Sequence, residues 1–342
     1  MSTVLVTGGA GYIGSHAVLA LAAAGDDVVV YDNLSAGHPE AIARIAEAWP
    51  ARSVTLVRGD VLDARALSDT LQRSRASAVM HFAAKLSVGE SMRDPLGYYR
   101  TNVMGTLTLL ETMVAADVRT FVFSSTAATF GEPERIPIDE THPQRPINPY
   151  GETKLTIEHA LGHIDRALGV RAVALRYFNA AGADPGGLIG EDHDPELHLI
   201  PLAIRAAQGG SPLTVFGGDY PTPDGTCIRD FIHVTDLAAA HVAALRALEG
   251  GAPSSAYNLG NGDGISVNEL LESVRRVSGR PVPHVIGPRR EGDPARLVAS
   301  SGRAQRELGW TPRFHRLDTI VETAWRWHER QPHGYRGGLE SH

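Results

Sequence analysis

The sequence predicts an α/β protein, a doubly wound parallel sheet joined to a smaller α/β lobe. Three observations carry this expectation. Short, continuously apolar, β-branched runs alternate with helix-like stretches through the first half of the chain, the pattern of strands buried on both faces with helices between them. A glycine-rich turn separates the first strand from the first helix. Beyond Leu175 the alternation loosens and Gly and Pro multiply, as in Gly217–Gly225, which reads as a smaller, loop-rich lobe.

Taken in order, strands are expected at Thr3–Thr7, Asp27–Tyr31, Ser53–Val57, Ala78–Phe82, Thr120–Ser124 and Val170–Leu175. The first helix spans Tyr12–Ala24, and later helices fall at Leu199–Gln208, Val234–Leu248, Val267–Ser278 and Leu317–Glu329. Residues 1–178 are read as a Rossmann-type dinucleotide domain, to which about 228–250 return. Residues 179–330 mainly form a lobe that closes over a ligand beyond the strand C-termini. The polar, Gly-rich end, 331–342, reads as a mobile tail.

Composition narrows the class. Of 342 residues 43% are apolar, enough for a large globular core. Acidic residues outnumber basic ones, 39 to 32, which argues against a nucleic-acid partner. The single cysteine, Cys227, can form no internal disulfide; it fits a reducing cytoplasm and reads as a small buried side chain. The most apolar helical stretch, Ala17–Ala24, is too short to span a bilayer. With no leader-like segment at the start, the expected location is cytoplasmic, with no membrane contact.

The first turn carries Gly8, Gly11 and Gly14 at three-residue spacing. Glycine permits the sharp turn, lets backbone N–H groups approach a pyrophosphate and lets the helix pack close to the sheet. The helix N-terminus adds positive potential for phosphates. Asp32 ends the second strand eighteen residues beyond Gly14, where a carboxylate bonds both ribose hydroxyls and repels a 2′-phosphate. The cofactor is therefore expected to be NAD. Asp60 and Val61 follow the third strand, and Phe82, Ala83 and Lys85 the fourth; Asp60 suits an adenine amino group and Lys85 the nicotinamide side.

Tyr150 and Lys154 lie four residues apart on a helix that begins after Asn148 and Pro149, so they share one face. A phenol is a poor base at neutral pH. A nearby ammonium and an oxidised nicotinamide both favour its anion, which makes Tyr150 a general base for a hydroxyl. Ser124, Ser125 and Thr126 end the fifth strand and offer a hydroxyl to share the reacting proton; spacing alone does not choose among them. Glu191–His198 is rich in metal-ligand residue types but has no defined metal spacing. It reads as a polar loop, and no metal is expected.

Together these motifs, with Arg176–Ala183, Asp224–Asp236 and Arg289–Asp293, resemble the UDP-glucose 4-epimerase family, NAD-dependent members of the extended short-chain dehydrogenase/reductases. The likeness runs from about Val4 to Trp327. It implies an isomerase that interconverts UDP-glucose and UDP-galactose in galactose metabolism by transient oxidation to a 4-keto sugar. Thr126 then matches the hydroxyl on the sugar 4-position, and Tyr150 and Lys154 the base and its activator. Asn179 matches a diphosphate contact. Arg229, Arg290 and Asp293 match the residues that hold the nucleotide, with Phe216 in the uracil-pocket segment. Val215, His198, Leu199 and Leu297 complete the expected substrate set. Tyr12, Ile13, Asn33, Asn102, Ser124 and Tyr177 join the cofactor set. A homodimer through Thr101–Ala116 and Tyr150–Ala167 is implied.

The chain departs from the family pattern at Phe130, often a tyrosine, at His198, an asparagine in some members, and at Leu297, where other members carry a larger or smaller residue that limits bulk near the sugar 2-position. Alternatives are an epimerase of another UDP-sugar (UDP-GlcNAc, pentose or uronic acid), a 4,6-dehydratase and a non-catalytic NAD sensor. The dehydratase pattern carries an Asp–Glu pair after the hydroxyl residue, where this chain has Ala127 and Ala128. A sensor has no need of Tyr150 and Lys154.

Overall fold

The computed structural model describes residues 2–290 and 294–335. Its main element is a seven-stranded, all-parallel sheet. The first six strands are β1 (Thr3–Thr7), β2 (Asp27–Asp32), β3 (Val54–Arg58), β4 (Ala78–His81), β5 (Thr120–Thr126) and β6 (Arg171–Tyr177), and the seventh is Ser255–Leu259. The spatial order is β3-β2-β1-β4-β5-β6 followed by Ser255–Leu259. The chain reverses direction across the sheet at β1 and β4, which opens the crevice where doubly wound folds bind ligands.

Alternation along each strand builds two apolar layers. Val4 and Val6 face one side with Val28, Val30, Met80, Val122 and Leu175, covered by Ala17, Leu21, Leu237 and Leu245 of helices α1 (Tyr12–Ala23) and Val234–Glu249. Leu5, Val79, Phe121 and Phe123 face the other, against Leu67, Leu109, Met113, Ile157 and Leu161. Every residue of β5 is buried. Each buried aliphatic side chain contributes about 1.5–3 kcal/mol, so a continuous run such as β5 is stable only with helices on both faces.

The smaller lobe has its own core. Helices Leu199–Ala207, Val267–Ser278 and Leu317–Arg330 pack Ile204, Leu270, Val274, Ile320 and Val321 together with Val215 and Phe231. Two small sheets flank it: Leu213–Phe216 pairs with His284–Gly287, and Ile228–Arg229 lies between Ile265–Ser266 and Arg296–Leu297. No helix among the described residues is long and apolar enough to cross a membrane.

Two expectations change. Ser255–Leu259 belongs to the large sheet, paired with β6, so the returning segment extends past 250. The Gly/Pro/Ser-rich approach Gly250–Ser254 disguises a strand of five residues. The mobile tail is also too long as drawn. Tyr335 is buried, its phenol donates to the Gly190 carbonyl at 3.2 Å, and its ring stacks on His38. An aromatic side chain with that much apolar area docks, whatever the polarity of its neighbours. Residues 336–342 lie outside the described residues.

Trp327 sits in the large core although its helix, Leu317–Arg330, also packs the smaller one. Its indole N–H donates to the Glu191 carbonyl at 2.9 Å. We expect Trp327→Ala to cost about 3–5 kcal/mol, read as a fall in the urea midpoint at constant slope.

Candidate active site

The turn after β1 is closed by backbone contacts. Gly8 adopts φ 70°, and a Cβ there would lie 2.4 Å from the Ala83 nitrogen. A Cβ at Gly14 would lie 2.2 Å from the Gly8 carbonyl oxygen. Gly11 is the N-cap of α1 without a side-chain cap, so the first N–H groups of the helix are left for an anion. Asp32 is buried at the end of β2, its oxygens accepting from Ala10 N at 2.9 Å and Leu34 N at 2.8 Å. Burial raises its pKa, and the two backbone bonds work against the rise. A cradle that side chains would fill, an open helix N-terminus and a fixed carboxylate fit a dinucleotide without a 2′-phosphate.

The remaining expected cofactor residues border this crevice unequally. Asn33 donates to Asp60 at 3.0 Å. Val61 packs in the second apolar layer. Phe82 leans on the His241 ring, and Ala83 N donates to the Thr7 carbonyl. Ile13 packs on the sheet, and the Tyr12 phenol donates to the Gly182 carbonyl at 2.6 Å, tying the glycine turn to the smaller lobe. The Lys85 ammonium pairs with Glu90 at 2.9 Å and Asp94 at 3.2 Å. Asn102 spends its amide on the Lys85 backbone and on Thr153, which makes it a positioning group here.

Helix Pro149–Leu168 begins where the sequence dictates. Asn148 accepts from Gly151 N at 2.8 Å and Pro149 occupies the first turn, a strong start signal. Gly151 then packs directly on the turn after β5: a Cβ there would lie 2.4 Å from the Ala128 carbonyl oxygen. This close approach brings Tyr150 beside Thr126, whose hydroxyl favours the phenolate. Burial pushes the Tyr150 pKa up and the Thr126 bond opposes it. Lys154 is buried, its ammonium donating to the Ser124 carbonyl at 2.8 Å over the face of Phe123. Burial lowers its pKa to about 7, with the Glu158 carboxylate opposing. Ser124 shares a 2.5 Å hydrogen bond with Tyr177. Ser125 bonds Glu158, which also grips Arg176.

The expected substrate residues gather on the lobe side. Asn179 donates to the Asp230 carbonyl at 3.0 Å. Arg229 and Leu297 are register partners, and Leu297 packs near Ala127, Phe130 and Ile138. Phe130 is fully buried with the Arg176 guanidinium above its ring. The Arg290 guanidinium stacks 4.0 Å over Phe216. Leu199 opens its helix, with His198 as N-cap. Val215 is the exception: its side chain faces the lobe core, because alternation along Leu213–Phe216 turns it away from Phe216. Asp293 lies outside the described residues. Glu191–His198 is an irregular loop, in which Glu191 and Glu196 are buried rather than solvated.

Sequence reasoning missed Gly151 and Asp230. The Asp230 carboxylate is buried and accepts from Asn261, Gly262 and Ala299 backbone nitrogens at 2.8–3.0 Å, holding three segments around Arg229. Its place beside Arg229 in the motif was the available signal.

The family model for the NAD dependent epimerase/dehydratase family matches residues 4–260. The UDP-glucose 4-epimerase of Halalkalibacterium halodurans is 52% identical over 333 residues, 97% of each chain. The solved structure of UDP-glucose 4-epimerase from Brucella ovis in complex with NAD is 50% identical, covers 95% of this chain and 98% of that one, and superposes with a TM-score of 0.90. The Bifidobacterium longum enzyme in complex with NAD+ and UDP is 37% identical, covers 97% and 100%, and gives 0.92.

Two outcomes follow from this geometry. Gly151→Ala should push the helix start off the Ala128 carbonyl and cut turnover by about 10²-fold, as a misplacement of roughly 1 Å does, with bound dinucleotide unchanged by extraction and absorbance. Lys154 titrates lower folded than unfolded. Its contribution is therefore present above the unfolded value near 10.5 and lost as pH falls toward 7. The stability of the cofactor-free wild type, relative to Lys154→Met, should rise between pH 7 and 10, checked by urea unfolding across that range.

Proposed function

The chain belongs to the NAD dependent epimerase/dehydratase family, and we propose that it works there as a UDP-glucose 4-epimerase, interconverting UDP-glucose and UDP-galactose. The observation that carries this reading is the trio at the end of β5. Tyr150 and Lys154 share one helix face, Lys154 buried and Tyr150 half-buried, and the Thr126 hydroxyl lies where it favours the phenolate. NAD, when bound, supplies a reversible acceptor for the hydrogen of the sugar carbon.

The protein's own groups do the rest. Tyr150 takes the proton of the 4-hydroxyl and Thr126 holds that oxygen against the phenol. Lys154 adds positive charge beneath the ring. Arg229 and Arg290 grip the diphosphate, for which the planar guanidinium is suited, and Phe216 lies against the base. The 4-keto sugar turns about its diphosphate link and takes the hydrogen back on its other face, so no net redox change occurs. Ala127 and Ala128 carry no proton, which separates this site from a dehydratase. The UDP complex of the Bifidobacterium longum enzyme supports the nucleotide assignment.

A second copy completes the assembly in this reading. Met92, Leu96 and Met104 are apolar and well exposed along Val88–Ala115, beside the helices that the family resemblance assigns to a homodimer. Desolvating such a patch drives association.

Tyr150→Phe is expected to lower epimerase turnover by at least about 10²-fold, the scale of general-base catalysis, while NAD content stays unchanged. Turnover is read by coupled oxidation of newly formed UDP-glucose. Near-normal turnover would overturn the assignment.

A further inference from the structure

The loop Glu191–His198 precedes helix Leu199–Ala207 and carries four metal-ligand side chains at positions that only the folded chain brings together. The side chains of Glu191 and Glu196 are 5% and 0% exposed. Two carboxylates removed from water need a positive partner. What faces them is a pair of imidazoles. His193 Nδ1 lies 3.3 Å from Glu191 Oε1 and 3.7 Å from Glu196 Oε2. His198 Nδ1 lies 2.9 Å from Glu191 Oε1 and 3.0 Å from Glu196 Oε1. One donor atom from each residue falls within 4.8 Å of the other three.

These separations suit ligands around a single ion. Bonds of about 2.0–2.2 Å at tetrahedral angles put neighbouring donors about 3.3–3.6 Å apart. The hydrogen bonding is informative as well. Glu196 Oε1 is satisfied by the backbone nitrogens of Leu197 and His198, at 2.8 Å each. Glu191 Oε1, Glu196 Oε2 and His193 Nδ1 are buried and form no hydrogen bond of acceptable geometry, although oppositely polar atoms lie close by. The His198 ring makes one hydrogen bond to a carboxylate, from Nδ1 to Glu196 Oε1 at 3.0 Å. The three atoms left without a partner would all be satisfied by one cation among the four side chains.

We propose that Glu191, His193, Glu196 and His198 hold a structural zinc ion. A divalent ion balances the two carboxylates while both imidazoles stay neutral. Two nitrogen ligands favour a transition metal over calcium or magnesium, which prefer oxygen. Four protein ligands close the coordination sphere, the mark of a structural rather than a catalytic site. The ion clips a junction between the lobes. The Glu191 carbonyl accepts from Trp327, the His193 ring meets Tyr12 of the glycine turn edge-on, and His198 caps helix Leu199–Ala207. With Nδ1 on the metal, the orientation of the His198 ring is fixed next to the expected nucleotide contacts.

The test uses the full-length, untagged protein, because a polyhistidine tag would itself bind zinc. Protein from zinc-supplemented medium is dialysed against metal-free buffer, and zinc is counted by mass spectrometry. About one zinc per chain is expected, falling about tenfold or more in His193→Ala/Glu196→Gln. Zinc below about a tenth per chain in the wild type, as purified and after incubation with zinc and gel filtration, would overturn the proposal. So would equal zinc in the folded double variant. Should that variant fail to fold, Co2+ added to chelator-treated wild type decides the matter. Intense tetrahedral visible bands, displaced by zinc, support the site, and weak octahedral bands or none reject it. None of these readings depends on sugar turnover, so failure here leaves the epimerase assignment standing.

Discussion

The site turns on a half-buried phenol and a buried ammonium. Burial raises Tyr150 and lowers Lys154, so each side chain alone resists the charge that base catalysis asks of it. The protein answers with fixed dipoles. The Thr126 hydroxyl lies on the phenol, and the Ser124 carbonyl and the Phe123 ring face lie on the ammonium. The low local dielectric that penalises a lone charge also strengthens any field that reaches it. A cationic ring bound in the crevice would therefore favour the Tyr150 phenolate. Base strength would then depend on the bound cofactor, since burial alone raises the Tyr150 pKa.

Such a device works only if the helix that carries it cannot slide. Asn148 sets where helix Pro149–Leu168 begins, and Gly151 sets how closely it approaches the turn after β5. Its rotation is fixed farther along. Glu158 takes the Arg176 guanidinium of β6 and the Ser125 hydroxyl of β5. A buried ion pair of this kind adds little net stability, but breaking it is costly, about 3–5 kcal/mol, because the surviving charge is left without a partner. Its effect is to make one register of helix against sheet far better than its neighbours, and that register puts Tyr150 beside Thr126.

Much of this was legible in the sequence because it rests on local chemistry. The strands β1 to β6 and the helix Val267–Ser278 are apolar runs bounded by caps and glycines, and Ser266 with Glu269 closes a capping box at the helix start. Tyr150 and Lys154 could be paired because four residues span one helical turn. What stayed hidden depends on contacts distant along the chain. Ser255–Leu259 is a strand because β6 offers it a free edge. Tyr335 is ordered because His38 and Trp327 make a slot for its ring. Gly151 reads as an ordinary helical glycine until Ala128 is seen against it. The four side chains of Glu191–His198 show no regular period because an irregular loop, rather than a helix or strand, gathers them.

An epimerase that returns the hydrogen it removes has no use for cofactor exchange, and the joints between the lobes agree with that economy. The glycine turn is tied to the smaller lobe through Tyr12 and the Gly182 carbonyl. Asp236, on a helix of the large layer, accepts the backbone N–H groups of Arg313 and Phe314. Trp327 belongs to a helix shared by both cores. Parting the lobes far enough to release a dinucleotide would break several buried hydrogen bonds together, at about 1–3 kcal/mol for each group left unsatisfied.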